Sequence, residues 1–532
     1  MITINSALLR SRLLHASALL LCLSGLARAE DDAKRCTYVD VGGLPLRYVG
    51  ESLMPAVEGT INGTPAVMLV DTGAFDTALT RNGATRRDLG LFSTGRWAEG
   101  IGGRSRLYTA RLKDFSIGPI HSGHRTELTV IGSTTFTPSF DAILGAPFLL
   151  QMDLELDLRA HRMKFYRPNN CDKTALLLWK EDTVVLPFER SSDRSPNPHF
   201  TVVVNGRELD AVIDSGAHRS FIMLDAAKRA GIDVKGPGAV RIGNAGGVGS
   251  DSAPHWTVPV KSVKLGDETI ANVELGVIDS QGSHGADMYL GQDFLRAHRV
   301  LFAMSQEKLY VAYLGGDVFT RGTGLEPWMR QEADEGNADA QYALATMYVN
   351  GRGVARDPAE ARVWLNKAAA GGQPNATLLV ARQQMLAGHL DTAIPQLRRA
   401  LDQLPADRLG PLWLYVARVR HGEADLARTE LEAALKRQNN DDWPAPIADF
   451  YLGKANAAQL LEEAGKDAKL AHARTCMADA YMAELHDARG ETAEAIALKA
   501  TLRMTCAAPA SAPAPAAPKP AADPLPTGGA AP

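Results

Sequence analysis

The feature that most constrains this 532-residue chain is an internal duplication between about residues 36 and 315. Asn62-Gly63 begins nine residues before Asp71, and Asn205-Gly206 begins nine before Asp214. Asn-Gly favours a two-residue hairpin turn because both positions tolerate positive φ. Behind each turn an apolar run, Val67-Met68-Leu69-Val70 or Ala211-Val212-Ile213, leads into Asp71-Thr72-Gly73-Ala74 or Asp214-Ser215-Gly216-Ala217. Gly102-Gly103 recurs as Gly246-Gly247. Ile143-Leu144-Gly145 and Tyr289-Leu290-Gly291 end 74 and 77 residues after their aspartates, with Phe148-Leu149 and Phe294-Leu295 following. A lone Asp-Ser/Thr-Gly is an ordinary turn, whereas two copies with matched flanks describe a duplicated unit with two equivalent loops.

Around these motifs, residues 36–315 show short β-branched or alternating runs broken by Gly, Asn and Asp, which predicts an all-β region. Pro259 marks Thr257-Val258-Pro259-Val260 as an edge strand at best. From 326 to 506 the pattern changes to Ala, Leu, Glu and Arg at helical spacing. Asp357-Pro358 predicts a helix start and Gly371-Gly372 its end. Residues 507–532 hold eight of the 29 prolines, among alanines, and predict a disordered tail.

The paired motifs resemble the retropepsin-like aspartic proteases, with two lobes fused in one chain (36–172 and 180–315). The resemblance implies a bilobal all-β double barrel, which with the helical pattern beyond it predicts a multidomain β + α protein ending in an α-helical solenoid. It implies one catalytic carboxyl per lobe, Asp71 and Asp214, and active loops supported by Thr72, Gly73, Ser215 and Gly216, with the two hydroxyls bonding across the lobes. The Ile-Leu-Gly and Tyr-Leu-Gly segments would pack beneath these loops. Gly102, Gly103, Gly246 and Gly247 sit where the family places its flaps. Two carboxyls sharing one proton can activate water with the ionised member and protonate the carbonyl with the other, without metal or cofactor. The shared proton splits their pKa values, as is known for aspartic proteases, and the values belong to the pair.

Two departures colour this expectation. Ala74 and Ala217 stand where many acid-acting relatives carry a hydroxyl, so the pair's pKa values should lie higher and activity fall at mildly acidic to neutral pH. His218-Arg219 replaces Phe75-Asp76, and a positive charge there would lower the pKa of Asp214. His255, His284 and His298 are scattered and read as loop or surface residues, not metal ligands. H-E-x-x-H, P-loop, G-x-S-x-G and C-x-x-C motifs are missing from the sequence.

Residues 338–372 resemble a Sel-one-like repeat, and 388–506 resemble tetratricopeptide-type hairpins, with Trp413-Leu414-Tyr415 and Trp443-Pro444 at packing or corner positions. Stacked helix pairs form solenoids that bind proteins, so 326–506 predicts a partner- or substrate-binding module.

At the N-terminus, Arg10 and Arg12 precede the apolar run Leu13–Leu26 and an Ala27-Arg28-Ala29 exit, which predicts a cleaved signal (1–29) and a mature chain without a membrane span. Cleavage removes three arginines and no acid, so the net charge of -4 becomes -7, which points away from nucleic acid. Cys36, Cys171, Cys476 and Cys506 then remain, and an even number in an exported chain predicts disulfides. Three connectivities exist, of which Cys36–Cys171 and Cys476–Cys506 would bracket one lobe and clip one helical hairpin. The chain is therefore expected to be an exported, periplasmic or else secreted, aspartic endopeptidase that acts on peptides or proteins and needs no dimer for its site. A non-catalytic peptide-binding or scaffold protein of the cell envelope would keep the same cleft.

Overall fold

The computed structural model describes residues 36–506 apart from 119, 122–124, 136–139, 173, 177–178, 191–196, 281–284, 320–324, 406 and 439–441. The expected signal (1–29) and tail (507–532), and His284, lie outside the described residues. The chain divides after Gly371 into two compact units.

In the first unit each copy of the repeat builds its own sheet, of ten strands in the first lobe and eight in the second. Both Asn-Gly turns form with positive φ, 52° and 75° at Asn62-Gly63 and 50° and 81° at Asn205-Gly206. Each asparagine also accepts from a backbone N–H across the sheet, Lys113 at 2.7 Å and Lys261 at 3.0 Å, so the turn residue is fixed twice. Strand Thr64–Val70 pairs in parallel with Ala142–Leu144, and strand Arg207–Ile213 with Met288–Leu290. The paired stretches 68–70, 142–144 and 211–213 are apolar and buried, as are Met288 and Leu290, as central parallel strands must be.

A third sheet joins the lobes. Its order is Thr37–Pro45, Arg162–Asn169, Asp153–Asp157, His298–Ala303, Lys308–Tyr313 and Thr183–Pro187, so three strands come from each expected lobe. The seam is the antiparallel pairing of Leu154 with Phe302 and Leu156 with Val300. Cys36 and Cys171 are disulfide-bonded at one edge of this sheet. The lobe ranges read from the sequence are thus each divided between a private sheet and a shared one.

Pro259 is not on an edge. Its strand, Ala253–Leu265, pairs along its length with Glu268–Ile278. On its other side it pairs with Val240–Ala245 through residues 253–257 and with Pro198–Val204 through 263–264. The proline falls in the gap between these two partners, where a missing N–H removes no ladder bond. His298 is likewise not at the surface: it is fully buried, stacked on Phe294 at 4.1 Å and bonded to the Phe294 carbonyl at 2.9 Å and Glu268 at 3.1 Å. His255 lies within a strand and is half-buried.

Helices Pro327–Asp334, Ala338–Asn350 and Pro358–Ala370 complete the first unit, and their Met329, Ala333, Leu344 and Trp364 join the same apolar core as the lobes. The Asp357 carboxylate accepts from the N–H groups of Ala359 and Glu360 at 2.9 and 3.1 Å, and the helix stops at Gly371. The second unit holds helices Pro374–Leu386 to Thr492–Thr505 around its own core, with Leu414 and Tyr415 buried and the Trp413 indole donating to Tyr481 Oη at 2.7 Å. Cys476 and Cys506 are disulfide-bonded across its last two helices. No described helix is long and apolar enough to cross a membrane.

Candidate active site

The two Asp-containing loops meet at the junction of the lobes. Each leaves a central strand and is held by the apolar-apolar-Gly segment beside it. Asp71 N–H donates to the Leu144 carbonyl at 3.1 Å and Asp214 N–H to that of Leu290 at 2.9 Å. A second tie lies six residues beyond each aspartate, where the Thr77 and Ser220 hydroxyls accept from Gly145 and Gly291 N–H at 3.1 and 2.9 Å. Sequence reading missed these hydroxyls, although their equal spacing in the two copies was a usable signal.

Thr72 and Ser215 form a reciprocal lattice between the lobes. The Thr72 hydroxyl donates to the Ile213 carbonyl at 2.7 Å and accepts from Ser215 N–H at 3.0 Å. The Ser215 hydroxyl donates to the Val70 carbonyl at 2.7 Å and accepts from Thr72 N–H at 3.0 Å. Both side chains are buried, so all four bonds are sheltered from competing water.

The lattice brings Asp71 and Asp214 side by side, both half-buried. Each carboxylate accepts from the glycine N–H of its own loop, Gly73 at 3.0 Å and Gly216 at 2.9 Å. Each also lies against the glycine of the opposite loop. A Cβ on Gly73 would stand 2.4 Å from the Asp214 carboxyl, and one on Gly216 would stand 2.4 Å from that of Asp71. Glycine is required here for close approach, not for positive φ. Burial pushes the Asp71 carboxyl well above the ordinary range, and the charge of Asp214 raises it further. Burial also raises Asp214, but the bond it receives from Asp71 works the other way, as do the surrounding N–H groups. Both carboxyls are thus raised, and the pair shares a proton above the ordinary carboxylate range.

The expected lowering of Asp214 by His218-Arg219 is not found. Burial holds the His218 imidazole down to about 4, helped by Arg219 and Arg296.

The two glycine-rich segments are both hairpin tips. Strands Leu91–Gly100 and Gly103–Leu112 enclose Ile101 and Gly102, while Val240–Ala245 and Ala253–Leu265 enclose Gly246 and Gly247. The tips touch: Gly102 bridges Gly249, and the Gly102 carbonyl accepts from Asp251 N–H at 2.9 Å. Each tip also leans on the opposite lobe, Gly247 N–H donating to Thr135 Oγ1 at 2.7 Å and Ser280 Oγ to the Ile101 carbonyl at 3.3 Å. Thr135, Asp251 and Ser280 carry no local motif that would have revealed this role.

Residues 57–148 and 200–294 match the aspartyl protease family model. The match falls once in each lobe of the β-rich half, on both Asp-containing loops. Residues 338–373 match the Sel1 repeat. An aspartic proteinase from Irpex lacteus is similar to the chain at 14% identity, over 52% of this chain and 97% of that one, with a TM-score of 0.35. No curated protein matches the sequence.

Beneath the second protease lobe's loop, the Arg296 guanidinium is stacked between Tyr48 of the first lobe, at 4.0 Å, and Trp328 of the first helix, at 3.3 Å. Its Nε and Nη2 have no hydrogen-bond partner among the described residues. Nearby, His161 Nε2 meets Glu332 at 2.8 Å, and Asn337 Nδ2 donates to the Tyr48 carbonyl at 3.1 Å. The helix Pro327–Asp334, just before the Sel1 repeat, is therefore seated on the lobes through a cation–π sandwich and a polar collar.

Proposed function

We propose that this chain is an exported aspartic endopeptidase in which Asp71 and Asp214 activate a water for attack on a peptide carbonyl. The reading rests on one observation: two carboxyls side by side, each against the opposite lobe's glycine, with burial raising both. Asp214 takes a proton from water as the oxygen attacks the carbonyl carbon, and Asp71 donates its proton to the carbonyl oxygen. Collapse of the resulting gem-diol breaks the C–N bond, and the nitrogen leaves with a proton from the pair. The cross-lobe lattice fixes the two carboxyls before substrate arrives, so little reorganisation accompanies the reaction. The touching tips act as paired flaps that part for the peptide and close on it. Two disulfides accord with an oxidising compartment. The helical repeats recruit the protein substrate or a partner.

The deciding experiment sets wild type beside Asp71→Asn and Asp214→Asn on a peptide mixture read by mass spectrometry, with binding of a statine-type inhibitor in parallel. Each variant is expected to lose about 10²- to 10⁴-fold in cleavage. If wild type cuts nothing that the variants spare, the protein is a peptide-binding factor instead. Deleting 372–506, a compact unit on its own, tests recruitment. Unchanged cleavage of a protein substrate would remove that role.

A further inference from the structure

The first flap hairpin, Leu91–Gly100 with Gly103–Leu112, carries four arginines and one glutamate in a chain whose net charge is -4. Its outer strand lies at the end of the ten-stranded sheet, so one row of backbone N–H and C=O groups has no strand beside it among the described residues. A register shift between Ser93 and Trp97, with Gly95 at φ 69°, bends this strand and re-aims Trp97. The Trp97 ring remains 48% exposed, with the guanidiniums of Arg106 and Arg104 at 5.1 and 5.9 Å from its centre. Farther down the hairpin, Arg81 stands 5.4 Å over Tyr108. Arg104 is paired with Glu99 at 3.1 Å, while Arg106 has no ion pair among the described residues. In the second hairpin there is one such stack, Arg241 at 5.7 Å from Trp256, and that indole is half-buried.

We infer that the outer edge of the first hairpin binds an extended acidic peptide segment as an added strand along Trp97–Gly100, with its carboxylates on Arg106 and Arg104. An edge strand recognises a peptide backbone through the ladder bonds it lacks, and side chains at alternate positions supply the selectivity. Guanidiniums held on an aromatic ring keep their N–H edges free for carboxylates. The same stacking argues against a nucleic-acid occupant, because the ring face that a base would take already carries a guanidinium. This inference deepens the peptidase reading by naming a substrate class: peptides acidic beside the segment to be cut.

The test separates binding from turnover by using the full chain carrying Asp71→Asn. A fluorescein-labelled peptide with Asp and Glu at alternate positions is compared by anisotropy with its Lys-substituted counterpart, a single-stranded oligonucleotide and anionic vesicles. The acidic peptide is expected to bind at least about tenfold more tightly than the Lys version, as two exposed charge pairs allow, and less tightly as salt rises. Arg106→Gln should weaken it severalfold and Arg106→Lys much less. Glu99→Gln should tighten it by releasing Arg104, a gain that misfolding cannot imitate. Equal affinity for the two peptides, indifference to all three substitutions, or tighter binding of the oligonucleotide or vesicles would overturn the inference. Because Asp71→Asn does not need to cut, a wild type without peptidase activity would defeat the catalytic reading and leave this binding result standing.

Discussion

The two lobes carry the same four-residue turn and then diverge. After Ala74 the first lobe places Phe75, 46% exposed, and Asp76, which accepts from Thr129 at 2.9 Å. After Ala217 the second places His218, whose imidazole is desolvated and feels Arg296 and Arg352. The first loop runs out toward solvent, whereas the second runs back toward the helices. Everything that positions the carboxyls is duplicated, and what surrounds them is not. The lesson is that bringing the two carboxyls together needs symmetry only as far as the hydroxyl and glycine of each loop.

Several substitutions would break or sharpen this comparison. The largest effect is expected at the dyad, where Asp71→Asn and Asp214→Asn should be equally damaging to kcat. A variant that kept more than a tenth of wild-type cleavage would show that the lobes are unequal in chemistry. Gly73→Ala and Gly216→Ala come next. Each methyl would strike the opposite carboxyl, costing about 1–3 kcal/mol of stability together with nearly all cleavage, read as melting temperature and kcat/KM. Thr72→Val and Ser215→Ala should each cost about 1–3 kcal/mol by stranding buried partners. Chemical denaturation giving very different values would show that one lobe carries the lattice.

The smallest and most diagnostic effects are in pH. Because the pair's pKa values are raised on folding, the folded state holds more protons than the unfolded one. Stability from these groups is therefore full below about 3.8 and declines as pH rises through their folded values. Asp71→Asn should flatten that decline. His218 is depressed to about 4 from 6.5, so its contribution has the opposite sign: stability is lost as pH falls from 6.5 toward 4. His218→Leu should remove this acid-side loss, measured by melting temperature between pH 4 and 7. No lobe-one substitution at Phe75 should do so.

The sequence disclosed the loops, the Asn-Gly turns and the helix start at Asp357 because each is local: a few adjacent residues satisfy their own geometry. Thr72 and Ser215 were legible through the family resemblance and the duplication together. The sheet joining Leu154 to Phe302 was not, since no periodicity in one strand names its partner 148 residues away. Pro259 misled because the rule that confines proline to edges treats a strand as having one neighbour per side. Arg296 and Trp328 stayed hidden for a related reason. An arginine near an apolar run reads as a surface charge until a tyrosine and a tryptophan from distant segments close over it.

The helices at 327–370 share the lobes' core, although the amino-acid pattern changes well before them. That sets where such a gene can be cut and recombined. A break at residue 315 would strip Trp328 from Arg296 and leave a cationic wound with an apolar rim. A break after Gly371 would pass between two finished cores. On the proposed reading, swapping the later helices between relatives would change which protein is recruited while leaving the two Asp-containing loops untouched.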